Sequence, residues 1–182
     1  MAIFKDTVIV LNKQKQSKWN DIYFVFSKQY WKIICSKKPE KNKRDFWTGT
    51  EISVEIEVKE NINIHNIRNP KIISEFNYEW LSFILINKYL EIIAYCKRNF
   101  PDFVENEVGF NVLKTLNKVN ITKEALLLTH LKLIDINWEL PIESDDITTT
   151  KILKFVRQNQ ISNILRLTNI PEYTIKKLEE FL

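Results

Sequence analysis

The clearest pattern in the chain is an alternation over residues 51–59. Ile52, Val54, Ile56 and Val58 fall on one face, and Glu51, Ser53, Glu55 and Glu57 on the other, which predicts a β-strand. β-Branched and aromatic runs at residues 7–11, 22–26 and 30–35 predict three strands before it. Ile62, Ile64 and Ile67 predict a short fifth strand after it. Five short strands in about seventy residues fit a small closed barrel of the OB type better than an open sheet, because closure removes sticky edges. Residues 36–50 are polar and basic and hold Pro39 and Gly49, so they read as a long loop between the third and fourth strands.

Asn69-Pro70 marks a domain junction, and the periodicity then changes. Residues 72–98 are too dense in apolar side chains for a single stripe; Trp80, Phe83, Ile84, Tyr89 and Leu90 are among them. This predicts a helix buried on most sides. Phe100-Pro101-Asp102 stops it and starts another over residues 103–118. Thr122 is placed to cap a helix reaching about Trp138, with Leu126, Leu127, Leu131 and Ile134 inward. Residues 141–146 form a turn, residues 148–158 and 161–168 short helices, and Pro171 opens a last one. The expected fold is therefore α+β. A five-stranded OB-type β-barrel over residues 1–69 binds nucleic acid, and an all-helical domain over residues 70–182 contacts protein.

Composition sharpens this picture through charge. Net charge is only +4, but eleven Lys or Arg lie between Lys5 and Arg44 against three acids, Asp6, Asp21 and Glu40. After Pro70 the balance is fourteen basic to fifteen acidic residues. A basic β module on a near-neutral helical body points to a polyanion-binding head. Cys35 and Cys96 each lie inside an apolar run, too far apart for a zinc ribbon, and read as reduced core thiols. Residues 4–11 lack the features of a signal peptide, and the most apolar stretch, residues 80–95, holds Lys88 and Glu91 and is too short for a bilayer. A cytoplasmic protein without membrane contact is expected.

Catalytic signatures are missing. With only Gly49 and Gly109, the chain cannot build a P-loop, a dinucleotide fingerprint or a nucleophile elbow. His65 and His130 fall in different expected domains with no ligand-like spacing, and read as core or boundary histidines. Asp145-Asp146 reads as turn and cap chemistry. No enzymatic activity, metal or cofactor is expected.

The binding candidates lie in the basic stretch. Lys28, Lys32, Lys37, Lys38, Lys41, Lys43 and Arg44 crowd seventeen positions against Glu40 alone. Such residues neutralise phosphates and release counterions, giving salt-sensitive binding. Tyr30, Trp31, Phe46 and Trp47 flank them, and surface aromatics stack on unpaired bases. Tyr30, Trp31 and Trp47 are the candidate stacking platforms; the alternative is that they fill the barrel.

The order of these features resembles the bacterial recombination mediator RecO family. Val8-Ile9-Val10-Leu11 matches its opening strand ending in "IVL", and Ile22-Tyr23-Phe24-Val25-Phe26-Ser27-Lys28 its "tvFT…G" strand. Residues 32–44 match its "GK…aKGarkpkSr" segment, with Trp31 and Lys37 where the family has glycine. Residues 127–141 echo the helix ending "LLeLLGy.P", and residues 151–182 the last short helices. The four-cysteine zinc module that many members carry after that helix is absent, so this is a short form and no zinc is carried over.

The resemblance implies a non-catalytic protein of recombinational DNA repair that binds single- and double-stranded DNA, anneals single strands and helps a recombinase load. It implies a RecR-like partner, the C-terminal tail of single-strand binding protein as a second, and RecA indirectly. DNA contacts would fall on Lys13, Lys15, Lys18, Lys32, Lys37, Lys38, Lys41, Lys43 and Arg44. The alternative is a non-catalytic adaptor whose helical domain is the main binding surface.

Overall fold

The structure, a computed structural model, describes residues 2–15, 20–38, 45–58, 63–104 and 107–182. It is α+β, a five-stranded sheet followed by helices. The strands are β1 (Ala2–Lys15), β2 (Asp21–Ser27), β3 (Lys32–Lys37), β4 (Glu51–Val58) and β5 (Ile64–Ser74). The helices are α1 (Phe83–Asn99), α2 (Val108–Leu116), α3 (Lys123–Ile136), α4 (Ile147–Gln158), α5 (Ile161–Ile164) and α6 (Glu172–Glu179). By internal contacts the chain divides into two units, Met1–Glu79 with Ile93–Lys114, and Trp80–Ile92 with Thr115–Leu182.

The sheet of the first unit runs β1-β2-β3-β5-β4 and closes on itself, because β1 pairs with β4 as well as with β2. All pairings are antiparallel except β3–β5, where Ile34, Cys35 and Ser36 lie parallel to Ile64, His65 and Asn66. β1 is long because it serves two partners. Ala2 to Ile9 face β4, Val8 to Lys15 face β2, and a bulge at Leu11 re-aims the strand between them. The enclosed core holds Val8, Val10, Tyr23, Val25, Ile33, Cys35, Phe46, Ile52, Val54, Ile56 and Ile67.

The alternation read in β4 holds for its apolar face, since Ile52, Val54 and Ile56 are buried. Its acidic face is not uniformly solvated. Glu51 and Glu57 are buried and ion-paired: Lys114 reaches Glu51 at 2.6 Å, and Arg68 reaches Glu57 at 2.8 Å. Buried carboxylates persist only with such partners. β5 runs further than the apolar pattern implies, through Pro70 to Ser74 opposite Glu51.

The helix expected over residues 72–98 begins only at Phe83. Residues 72–74 belong to β5, and Trp80, Phe83 and Ile84 are 88%, 76% and 67% exposed rather than buried. The helix expected from residue 103 begins only at Val108. Its anticipated first turn instead lies beside β3. The Phe103 amide donates to the Lys32 carbonyl at 2.8 Å, the Trp31 amide donates to that of Val104 at 2.8 Å, and Phe103 takes φ 56°. That left-handed conformation is rare for an aromatic residue. It is compensated by the Phe103 ring stacking on Tyr30 at 4.4 Å.

The outer face of β1 and β2 is covered within the same unit. Ile9, Leu11 and Phe26 are buried there, and the Phe26 ring meets that of Phe100 at 5.2 Å. Gly109 on α2 lets the helix backbone approach, since a Cβ there would stand 2.8 Å from Phe26 Cζ.

In the second unit α3 is buried on every side from Ala125 to Ile134, more completely than one inward stripe implies. α4, α5 and α6 each contact α3. Its start follows the expected rule, with Thr122 Oγ1 accepting from the Ala125 amide at 3.1 Å. Asp146 does the same for α4, accepting from the Thr149 amide at 2.6 Å. The Lys132 ammonium is buried and ordered by Asp135 at 2.9 Å and by the Val156 and Arg157 carbonyls at 3.0 and 3.2 Å, which closes the end of α4.

Gly109→Ala sets two effects against each other. Ala favours a helix interior by about 1 kcal/mol. Overpacking against the enclosed Phe26 ring costs about 1–3 kcal/mol. A net loss of stability is expected in urea denaturation of the variant, and an unchanged or higher midpoint would show that the ring yields freely.

Candidate nucleic-acid interface

The basic residues named from sequence do not form one uniform patch. Lys18, Lys41, Lys43 and Arg44 lie outside the described residues. The others divide by what they touch.

Register brings three strand ends together. Lys15 stands opposite Asp21, and Asp21 opposite Lys37. Adjacent strands are separated by about 4.8 Å, so the Lys15 and Lys37 backbones are about 10 Å apart across one rim of the sheet. Lys15 and Lys38 are exposed there, and the Lys37 ammonium lies over the Phe46 ring at 5.7 Å.

Lys13 sits one step inward, opposite Tyr23. Its ammonium pairs with Asp21 at 2.9 Å and with Asp45, and Tyr23 Oη donates to the other Asp45 oxygen at 2.9 Å. Burial alone would lower the Lys13 ammonium, but the two carboxylates outweigh it and raise it. Burial likewise pushes the Asp45 carboxyl up, and Lys13 and Tyr23 more than reverse that and hold it below the usual carboxylate range. Lys13 therefore closes the end of the core, with its charge neutralised.

Lys32 is also committed internally. Its ammonium donates to the Lys97 carbonyl at 2.8 Å, at the end of α1, and pairs with Asp102 at 3.1 Å. Lys97 in turn lies over the Phe24 ring at 4.2 Å. Sequence reasoning missed both assignments, because the partners are distant in the chain. The one local signal was that Asp21 and Asp45 border the basic stretch on either side.

The three candidate stacking residues differ as sharply. Tyr30 is packed against the core and stacked on Phe103. Trp31 is half-buried, its ring edge-on to Phe100 at 4.9 Å. Trp47 is 65% exposed.

Other candidate chemistry resolves into structure. Cys35 and Cys96 are free and buried, and burial raises both thiols. His65 and His130 are buried. Among the described residues no group of three His, Cys, Asp or Glu is placed to hold a metal ion, and no helix is long and apolar enough to cross a membrane. No protein-family model matches the chain, and no curated protein matches it.

A carboxyl depressed in the folded state stabilises the fold above its unfolded pKa, about 3.9 for Asp, and the contribution disappears as pH falls through the lower folded value. Asp45→Asn should therefore melt below the parent near neutral pH, with the gap narrowing under about pH 4. Thermal melts across pH check this; a gap that stays constant would mean the Asp45 charge is not what Lys13 and Tyr23 hold.

Proposed function

We propose that this chain is a non-catalytic DNA-binding protein of recombinational repair, working as RecO-like mediators do. Its sheet is an OB-type barrel, a reading supported by the closed order β1-β2-β3-β5-β4 with its one parallel pair. OB-type barrels use the face and loops around their first strands for oligonucleotides. The observation that carries the proposal is the shared rim of Lys15, Lys37 and Lys38. From this rim leave the two connections that contain Lys18 and Lys41, Lys43 and Arg44. The protein binds and anneals single strands, accepts duplex, and helps a recombinase load without turnover. A RecR-like partner, the tail of single-strand binding protein and, indirectly, RecA complete the proposal, set in the cytoplasm.

Within this reading Lys13 and Lys32 are scaffold rather than phosphate contacts, because their charges are already paired. The adaptor reading draws on Trp80, Phe83 and Ile84, an exposed apolar group in the second unit.

Fluorescence anisotropy with labelled oligo-dT, titrated with salt, separates the two. Each phosphate contact adds about 0.7 to the magnitude of the log–log salt slope. Binding with a slope of several contacts is expected. Reversal to Glu at Lys37, Lys38, Lys41, Lys43 and Arg44 should weaken it by about tenfold or more while circular dichroism stays unchanged. Absence of binding at low salt would reject the DNA reading and leave the adaptor.

A further inference from the structure

α1 is apolar on two opposite sides. One side is buried and carries Tyr89, Ile92 and Ile93. At about 100° per residue, the exposed positions Phe83, Ile84, Asn87, Leu90 and Glu91 form a single arc on the other side, with Asn87 at its centre. Lys88 borders this arc, and its ammonium is already paired with Glu179 at 2.7 Å. Trp80, three residues before the helix, adds an exposed indole. The residues of the arc, Lys88 with its partner, and Trp80 all belong to the second unit.

A helix that is apolar all round belongs in an interior. Here Trp80, Phe83 and Ile84 are mostly exposed and Leu90 is 39% exposed. A large aromatic side chain presents about 150–250 Å², so these four together offer on the order of 500 Å². Two copies set face to face would bury about 1,000 Å² from these side chains alone, the size at which specific interfaces begin. Asn87 narrows the occupant. A carboxamide both donates and accepts, so an identical carboxamide satisfies it. A lone Asn in an apolar helical seam is a device that fixes register and the number of chains. A two-fold axis through Asn87 brings it against its own copy and packs Phe83 and Ile84 of each chain on Leu90 of the other. Glu91, the one charge on the arc, tolerates this arrangement. With the helices antiparallel, the two Glu91 positions lie about 12 Å apart along the axis, beyond the screening length of about 8 Å at physiological salt.

We propose that the outer face of α1 binds a second copy of this chain, forming a two-fold dimer with Asn87 on the axis and Trp80, Phe83, Ile84 and Leu90 around it. The inference does not rest on the DNA reading. It gives to a second copy the apolar group that the adaptor reading gives to another protein.

Sedimentation equilibrium of the full chain should show the mass rising from that of one chain to that of two between about 1 and 100 µM. Phe83→Glu should hold it at one chain throughout, with circular dichroism unchanged because Phe83 is exposed. Trp138→Ala, which removes an equally exposed indole outside this face, should leave the dimer intact. A second pair of variants reads the symmetry directly. Cys35 and Cys96 are buried, so a surface cysteine is the reactive one. Under mild oxidation Asn87→Cys should give a disulfide-linked dimer on a non-reducing gel, whereas Glu91→Cys, set off the axis, should stay a single chain. A single-chain mass at about 100 µM overturns the proposal and returns the face to a different protein. Self-association that survives Phe83→Glu, or that is lost in Trp138→Ala, overturns it and places the contact elsewhere. Equal cross-linking of the two cysteine variants, or none in Asn87→Cys, overturns the two-fold arrangement. The lysine reversals leave the mass unchanged, so failure of the DNA reading and failure of this one are read separately.

Discussion

β1 is the member on which the first unit depends. A strand has two hydrogen-bonding edges, and in an open sheet one edge of a terminal strand stays bare. Here Val8 and Ile9 pair on both sides, with Ser27 and Phe26 of β2 and with Ile52 and Glu51 of β4. The Leu11 bulge bends and twists the strand, which suits a small closed sheet. It also explains why Val8, Ile9, Val10 and Leu11 are all buried. Val8 and Val10 fill the interior. Ile9 stands opposite Phe26, whose ring Phe100 and Gly109 approach. One strand thus organises two apolar layers.

Charge inside that frame is handled by pairing. Glu51 with Lys114, Glu57 with Arg68, Lys13 with Asp21 and Asp45, and Lys32 with Asp102 each remove a charge from the pool available to a partner. Lys15 and Lys38 stand exposed at the rim instead. A count of lysines overstates the attraction for a polyanion and blurs its direction.

The sequence was informative where local rules dominate. The apolar face of β4, the caps at Thr122 and Asp146, and the buried state of both cysteines were legible from spacing and neighbours alone. It misled where distant partners decide. The face of β4 that reads as solvated holds two buried carboxylates, because Lys114 and Arg68 arrive from elsewhere. Density of apolar residues before and within α1 reads as burial, yet Trp80 and Phe83 face outward. Phe103 reads as helical, but an amide bond to Lys32 and a ring stack on Tyr30 draw it to the sheet. Of the candidate site, composition located the stretch. Only register shows that Lys15 and Lys37 share a rim while Lys13 and Lys32 turn to internal carboxylates.

The double pairing of β1 also sets an order of events during synthesis. Ala2 pairs with Val58, and β4 in turn pairs with β5 as far as Ser74. As the chain leaves the ribosome, β1, β2 and β3 can meet through short connections, but both outer edges of that meander stay unpaired until β4 and β5 have followed. For that interval the nascent chain offers bare β-edges flanked by Ile and Val. The lysines that punctuate the stretch then have a second use as gatekeepers, keeping one growing chain from adding to its neighbour's sheet.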